Sequence, residues 1–249
     1  MTAAQTGLAG ALSNLGREAL RIVLPSACAA CGEELPWRAR VASCCMTCWD
    51  ALPRIAVAKC ISCAQPAPIA DLAGFTCLDC VTEPLPLDWC DAWGEYRGSL
   101  ERLLHALKFS RHDFLASPLA TLVSDMLRAR GDVAFDAIVA VPMTRAKERR
   151  RGYNQAELLA RALASPLAIP CDMNLLTRRG ERATQSLLPK RERAANVRGA
   201  FASSPRAKGK SILIVDDICT TGETLRACAR ALRTAGARKV CAVVVAKAV

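Results

Sequence analysis

The segment spanning residues 211–235 constrains the fold of this chain more strongly than any other stretch. Residues 212–215 form a continuous apolar run, which predicts a strand buried on both faces, as in a parallel sheet. Two acids, Asp216 and Asp217, follow this strand, and a helix is predicted from Glu223 to Ala235. Ligands of parallel sheets bind beyond the carboxyl ends of the strands. The order strand, acid pair, loop, helix therefore predicts an α/β protein with a ligand site at this edge.

The loop between the predicted strand and helix carries residue types that bind phosphate. A helix N-terminus offers free N–H groups and the positive end of the helix dipole. Glycine permits close backbone approach and threonines add hydroxyl donors, so the predicted phosphate-binding residues are Thr220, Thr221, Gly222, Glu223 and Thr224. The acid pair would repel phosphate but suits ribose hydroxyls or a Mg²⁺ held by a diphosphate. The plainer alternative, a helix-capping acid beside a solvated one, explains only one of the two acids.

Alternating strands and helices extend this prediction toward the middle of the chain. Strands are predicted at 89–97, 137–141, 211–215 and 240–246, and helices at 100–107, 115–129, 155–164 and 223–235, with Asn154 as an N-cap. This alternation predicts a parallel sheet with helices on both faces. Residues 177–199 are rich in arginine and lack a clear periodicity, which predicts a mobile loop.

Eight of the 14 cysteines form an internal repeat. Two CxxC pairs thirteen residues apart recur 32 positions later, which predicts two copies of a small metal-binding module. Four thiolates fill the tetrahedral shell of a structural zinc ion, and the predicted ligands are Cys28, Cys31, Cys45, Cys48, Cys60, Cys63, Cys77 and Cys80. The spacing leaves open whether the pairs combine sequentially or crosswise, and Cys44 competes with Cys45 as a ligand. The alternative is a set of buried apolar cysteines without metal.

The formal net charge of +11 is concentrated in one window. Residues 145–210 hold 16 basic and 5 acidic side chains, whereas the remainder of the chain is balanced. Arginine dominates the window and suits bidentate contacts with phosphates, so the window predicts a polyanionic ligand such as a diphosphate or nucleic acid. Its first cluster includes Arg149, Arg150 and Arg151, and a second runs from Arg178 to Arg193.

The N-terminal segment is predicted to be an amphipathic helix at 1–24, because apolar residues recur at helical spacing. A membrane-surface anchor is the alternative. Charged residues such as Arg17 and Glu18 interrupt the apolar stretch, so neither a signal peptide nor a membrane span is predicted. CxxC pairs without a secretory signal favour metal over disulfides and a cytoplasmic location. The predicted domains are thus the helix at 1–24, a double zinc-ribbon module at 25–88 and an α/β domain at 89–249.

Several motifs together resemble the ComF family. They are Leu107-Lys108-Phe109, Val141-Pro142, the run RRGYNQAEL that begins at Arg150, and the run from Arg191 to Phe201, all placed after a cysteine-pair module. The segment with the acid pair resembles the signature of type I phosphoribosyltransferases. It departs from that signature at Cys219, where an aliphatic residue is usual.

The resemblance implies a double zinc ribbon followed by a type I phosphoribosyltransferase domain that binds phosphoribosyl diphosphate with Mg²⁺. It implies that the acids bind the ribose hydroxyls in a catalytic role, while the threonine loop holds the 5-phosphate. It also implies a diphosphate loop and a flexible basic loop; the residues carried over are Asp216, Asp217, Thr220 to Thr224, Val141, Pro142, Lys108, Arg182 and Gln185. The family acts in natural transformation, which points to single-stranded DNA and other DNA-uptake proteins as partners.

Two functions of different classes remain open from the sequence. The first is an enzyme that transfers a phosphoribosyl group to an acceptor and releases diphosphate. The second is a non-catalytic factor that binds single-stranded DNA or a phosphoribosyl group. An acceptor-specific set of residues would favour the enzyme, and the sequence identifies no such acceptor.

Overall fold

The computed structural model describes residues 27–35, 43–68, 74–110, 112–131, 133–179 and 199–249. These residues belong to two compact units, one ending at Ala51 and the other beginning at Leu52. The helix predicted at 1–24 lies outside the described residues, as do Arg182, Gln185 and most of the predicted mobile loop. The predicted domain bounds therefore stay predictions.

The first unit holds the first set of repeated cysteines. Its described part contains one short helix, α1 (Met46–Asp50), and an antiparallel bridge between Ala27 and Glu34. The N-cap of α1 is Cys45, whose Sγ accepts a hydrogen bond from the Cys48 N–H at 3.4 Å.

The second unit holds the second set of cysteines and the sheet. Its elements in chain order are α2 (Leu78–Thr82), β1 (Trp89–Glu95), α3 (Gly98–Phe109), α4 (Ala116–Arg130), β2 (Ala137–Ala140), α5 (Arg145–Arg151), α6 (Gln155–Leu167), β3 (Leu176–Arg178), β4 (Phe201–Ser203), β5 (Ser211–Cys219), α7 (Glu223–Thr234) and β6 (Lys239–Lys247). None of the helices in the described ranges is long and apolar enough to cross a bilayer.

The main sheet is parallel, with strand order β1-β6-β5-β2. Ile138 of β2 also forms an isolated parallel bridge with Cys171 on the outer side. The apolar runs of β5 and β6 are buried almost throughout, as expected for central strands covered on both faces. Strands β3 and β4 form a separate antiparallel pair.

Helices cover both faces of the main sheet. The connection from β1 to β2 through α4 crosses the sheet in one direction, and the connection from β5 to β6 through α7 runs in the opposite direction. When two crossover connections are both right-handed and run in opposite directions across a sheet, their helices lie on opposite faces. Helix α4 packs with α6 on one face, and α7 packs with β4 on the other. The predicted parallel sheet with helices on both faces is confirmed.

Strand β5 and helix α5 both differ from the sequence prediction, and the short elements α1, α2, β3 and β4 were not predicted either. Strand β5 continues to Cys219 instead of ending before the acids, because β6 runs beside it as far as Lys247. Helix α5 was not predicted, since its sequence RAKERRR has no apolar periodicity. Its ends are set by capping: Thr144 Oγ1 accepts the Lys147 N–H at 3.3 Å, and Gly152 terminates the helix in the left-handed conformation.

Candidate functional site

Three strands deliver their carboxyl ends to one edge of the sheet. Cys219 of β5 pairs with Lys247 of β6, and Val215 of β5 pairs with Ala140 of β2. The loop after β5, the chain after β6 and the loop at 141–144 after β2 therefore start close together. In parallel α/β sheets this edge is where ligands bind.

The loop at 220–222 presents free backbone donors at this edge. Helix α7 starts at Glu223, and its N-cap is Gly222 with φ +79°, a conformation that favours glycine. Thr220 and Thr221 are exposed. Within the described part of the chain, the N–H groups of Thr221 and Gly222 donate no hydrogen bond, and Gly222 has no side chain to cap the helix. An anion placed here would meet several unused donors.

The two acids occupy different environments. Asp217 is 3% exposed, and its Oδ2 lies 3.0 Å from Lys108 Nζ. The ion pair with Lys108 lacks the geometry of a hydrogen bond. Asp217 Oδ2 is therefore buried without a hydrogen-bond donor among the described residues. Asp216 is half-buried, and one of its oxygens accepts the Asp217 N–H at 2.9 Å. Asp217 thus lies beside a buried cation, while Asp216 is partly exposed.

The acids point toward opposite faces of β5, as consecutive strand residues do. Asp217 faces Lys108 of α3. On the other side, burial and then the negative charge of Asp216 raise the pKa of Cys228 on α7 well above its usual value. Desolvation of its carboxyl, and then the negative charge of Asp217, raise the pKa of Asp216 well above the usual range. A hydroxyl donor or a cation that bound Asp216 would relieve this unfavourable charge.

The loop at 141–144 and the end of α3 are tied together by the motif that begins at Arg150. Asn154 Nδ2 donates to Val141 O at 3.0 Å, and Tyr153 Oη donates to Leu107 O at 2.6 Å. Asn154 also caps α6, as predicted, by accepting the Ala156 N–H at 3.1 Å. The motif thus positions both predicted diphosphate contacts, the loop with Val141 and Pro142 and the helix that ends in Lys108.

The first basic cluster follows this loop directly, on α5. Arg149 and Arg150 are exposed. Arg151 is partly buried; it donates to Gln155 Oε1 at 2.5 Å and lies over the ring of Phe109 at 5.0 Å. The three arginines are therefore not equivalent, because only the first two are free to meet an external anion.

The segment at 83–87, which follows the second cysteine set, contacts the loop and the first turns of α7. Arg226, 6% exposed, donates to Pro84 O at 2.8 Å and to Glu83 O at 3.0 Å. Leu85 lies against Gly222, where an added Cβ would stand 3.4 Å from Leu85 Cδ1. Sequence reasoning missed this contact, because the residues are more than 130 positions apart and no local pattern marks it.

The repeated cysteines form two clusters that could each hold a tetrahedral metal ion. In each cluster, four Sγ atoms lie within 4.8 Å of one another: Cys28, Cys31, Cys45 and Cys48 in the first, and Cys60, Cys63, Cys77 and Cys80 in the second. The Cys31–Cys45 and Cys63–Cys77 sulfur distances are 3.8 and 3.6 Å. Zn–S bonds of about 2.3 Å give tetrahedron edges of about 3.8 Å, so both clusters fit zinc.

The structure resolves both questions that the spacing left open. The pairs combine sequentially, and the first cluster contains Cys45 and not Cys44. Burial raises the pKa of Cys44 to about 12, and its Sγ faces the Cys45 carbonyl oxygen at 3.5 Å. Burial would also raise the pKa of Cys28, but backbone N–H groups, first that of Cys45, outweigh it and lower the value to about 6.

The fold and this edge together define a phosphoribosyltransferase-type domain. A family model described as the phosphoribosyl transferase domain matches residues 150–248. A solved structure of glutamine phosphoribosylpyrophosphate amidotransferase from B. subtilis, with ADP and GMP, aligns with 52% of this chain and 26% of its own, at 19% identity and a TM-score of 0.36.

Two curated relatives carry the assignment further. The chain is 35% identical over 185 residues to the DNA utilization protein YhgH of Escherichia coli strain K12, covering 73% of this chain and 80% of that protein. It is 31% identical over 171 residues to competence protein F of Haemophilus influenzae, covering 66% of this chain and 75% of that protein. The chain belongs to the ComF family, as its motifs predicted.

Proposed function

We propose that this protein binds phosphoribosyl diphosphate with Mg²⁺ at the carboxyl edge of its sheet and serves DNA uptake in natural transformation. The observation that carries the proposal is the loop at 220–222. Its unused N–H groups at Thr221 and Gly222 follow β5, the strand that carries Asp217, whose Oδ2 is buried and accepts no hydrogen bond from the described residues. The DNA uptake role is supported by the names of the relatives, which refer to DNA utilization and competence.

In this proposal each part of the edge binds one part of the ligand. The residues from Thr220 to Thr224 hold the 5-phosphate, and Asp216 and Asp217 accept hydrogen bonds from the ribose hydroxyls. The acids also fit Mg²⁺, which prefers carboxylate oxygens and, when bound, would neutralise the diphosphate oxygens. Val141, Pro142 and Lys108 lie on the diphosphate side, and the loop that contains Arg182 and Gln185 is proposed to cover the ligand.

Phosphoribosyl transfer is the activity that this arrangement would support. The bond between ribose C1 and the diphosphate breaks, an acceptor nucleophile forms the new bond at C1, and diphosphate leaves. The cations and N–H groups at the edge would stabilise the departing diphosphate, and the acids would stabilise the positive charge that develops on the sugar. The acceptor is not identified, and a binding role without turnover uses the same contacts.

The experiment is a calorimetric titration of phosphoribosyl diphosphate into the protein, with and without Mg²⁺. Binding that requires Mg²⁺ supports the site, and no binding under either condition contradicts it. Diphosphate release, measured with and without nucleobases and nucleic acid as acceptors, then separates an enzyme from a binding factor.

Single-stranded DNA is a second candidate ligand, favoured by α5. Arg149 and Arg150 are exposed there, and no carboxylate of the described residues lies within ion-pair distance of either one. Cations of this kind bind phosphates along a strand in a salt-dependent manner.

We include structural zinc in both cysteine clusters and a cytoplasmic location in the proposal, because closely grouped free thiols suit a reducing compartment.

A further inference from the structure

Lys247, the last residue of β6, is a buried cation that the site as described does not use. It is 5% exposed and pairs in register with Cys219 of β5. Its Nζ donates to Thr220 O, and to Ala248 O at 2.8 Å. No carboxylate of the described residues lies within ion-pair distance of this ammonium group. Buried lysines are almost always paired with a negative charge, so it is unusual that the described residues hold this cation through two carbonyl oxygens and no carboxylate.

The contact with Thr220 fixes the direction of the next peptide N–H. In a trans peptide, the carbonyl oxygen of one residue and the N–H of the following residue point in opposite directions. Because Thr220 O faces Lys247, the N–H of Thr221 points away from Lys247. Thr221 is exposed, and its N–H donates no hydrogen bond within the described part of the chain. Lys247 therefore holds one of the free donors of the loop in an outward orientation.

The same contact strengthens that donor. A carbonyl oxygen that accepts a hydrogen bond from an ammonium group polarises its peptide, and the N–H on the other side becomes a better donor. The positive charge also lies beneath the loop in a buried environment, where solvent screens it weakly. Both effects favour an anion on the outer side of the Thr220–Thr221 peptide.

We infer that Lys247 is a positioning residue for the phosphate loop, acting through the Thr220–Thr221 peptide on the phosphate group of the ligand. This inference rests on the proposed function, because it takes the loop at 220–222 as the phosphate site. It assigns the phosphate to Lys247 and the sugar to the acids, so changes at the two places have different signatures. Lys247 should affect inorganic phosphate and ribose 5-phosphate alike, whereas the acids should affect only the sugar phosphate.

The variants separate charge from structure. Lys247→Met removes both the charge and the donor, Lys247→Gln removes the charge and leaves a neutral donor on a shorter side chain, and Lys247→Arg keeps the charge. Lys239→Met is the matched control, because Lys239 lies at the opposite end of the same strand and packs against Phe135. If Lys247→Met does not fold, Lys247→Gln carries the comparison.

The first measurement needs no ligand. The backbone amide signals of Thr221 and Gly222, followed by NMR, should shift upfield in Lys247→Gln and Lys247→Met, stay near their wild-type positions in Lys247→Arg, and not move in Lys239→Met. Unchanged amide signals in a folded Lys247→Gln variant would overturn the inference, whether or not the site binds phosphate.

The second measurement is a calorimetric titration with inorganic phosphate and with ribose 5-phosphate. Lys247→Gln should weaken both by about tenfold, which corresponds to ~1.4 kcal/mol, and Lys247→Arg should weaken both by less. Equal affinities for wild type and Lys247→Gln would overturn the inference while the proposed function stands. If the wild-type protein binds neither compound, the proposed function fails, and the amide signals alone decide whether Lys247 orients the loop.

Discussion

Lys108 Nζ lies 3.0 Å from Asp217 Oδ2, at the point where the end of α3 meets the end of β5. Both side chains are largely buried, with exposed fractions of 19% and 4%. The family resemblance implied that Lys108 contacts the diphosphate. The structure places it against the second acid of the candidate site, where it balances a buried charge that would otherwise be unpaired.

Removing the lysine should therefore destabilise the protein through Asp217. Lys108→Met leaves a buried carboxylate without its cation, which costs roughly 3–5 kcal/mol. The double variant with Asp217→Asn should recover most of this loss, since no uncompensated charge remains. Chemical denaturation of the two single variants and the double variant measures the coupling. Additive losses of stability in the double variant would show that Lys108 and Asp217 do not interact. Lys208→Met, at an exposed lysine, is the control.

The raised pKa of Asp216 predicts how stability depends on pH. Because the folded carboxyl binds its proton more tightly than the unfolded one, whose pKa is about 3.9, the folded state is favoured at low pH. This contribution to the free energy of unfolding is lost as pH rises from the pKa of the unfolded state to the higher pKa of the folded state. Asp216→Asn removes the loss and should melt at a higher temperature than wild type at pH 8, with little difference near pH 4. Thermal melts against pH test this, with Asp125→Asn, an exposed acid, as control. A constant difference at all pH values would contradict the raised pKa.

The adjacent cysteines of the first cluster offer a matched pair for the metal prediction. The purified protein should contain about two zinc ions, one for each complete shell of four thiolates. Cys45→Ser removes a cluster sulfur and should lower the content by about one zinc ion, whereas Cys44→Ser changes a neighbouring thiol outside the cluster and should not. Elemental analysis of the three proteins decides the matter. Equal zinc loss in both variants, or no zinc in a folded wild-type protein, would refute the assignment.

Helix α5 carries the prediction for nucleic acid. Replacing Arg149 and Arg150 with glutamine should weaken binding of single-stranded DNA and reduce its dependence on salt, because exposed cations contribute through counterion release. Adding Arg151→Gln should cost little more binding, since that side chain is engaged with Gln155 and Phe109. Fluorescence anisotropy at two salt concentrations measures both effects. Arg161→Gln, on an arginine paired with Glu157, is the control, and an equal loss there would show that α5 is not a specific surface.

The sequence predicted those features that follow from local patterns. The apolar run before Asp216 and the helix after Gly222 mark a central strand and a helix N-terminus, and the 32-residue offset marks two cysteine clusters. Asn154 was recognised as an N-cap because capping depends on its nearest neighbours. These predictions needed only hydrophobic periodicity and the known preferences of a few residue types.

The remaining features depend on contacts between distant parts of the chain. The pairing of Lys108 with Asp217, the contact of Leu85 with Gly222 and the burial of Lys247 under Thr220 leave no trace in local sequence. Strand β5 extends through the acids because of its neighbour β6, and the acids consequently point toward opposite faces. Helix α5 was missed because a helix without an apolar face depends on its caps, Thr144 and Gly152, for its bounds.

The central claim is that Asp216 and Asp217 bind the ribose hydroxyls beside a loop that binds phosphate. Separate titrations of the protein with ribose 5-phosphate and with inorganic phosphate test it. The wild-type protein should prefer the sugar phosphate, and Asp217→Asn should weaken binding of the sugar phosphate by about tenfold. The double change of Asp216 and Asp217 to asparagine should abolish the preference, while inorganic phosphate binds as well as before or better once the like charges are gone. Thr221→Val should weaken both compounds, because it removes a hydroxyl donor to the phosphate. Equal wild-type affinity for the two compounds would contradict the account and reduce the site to a generic phosphate loop.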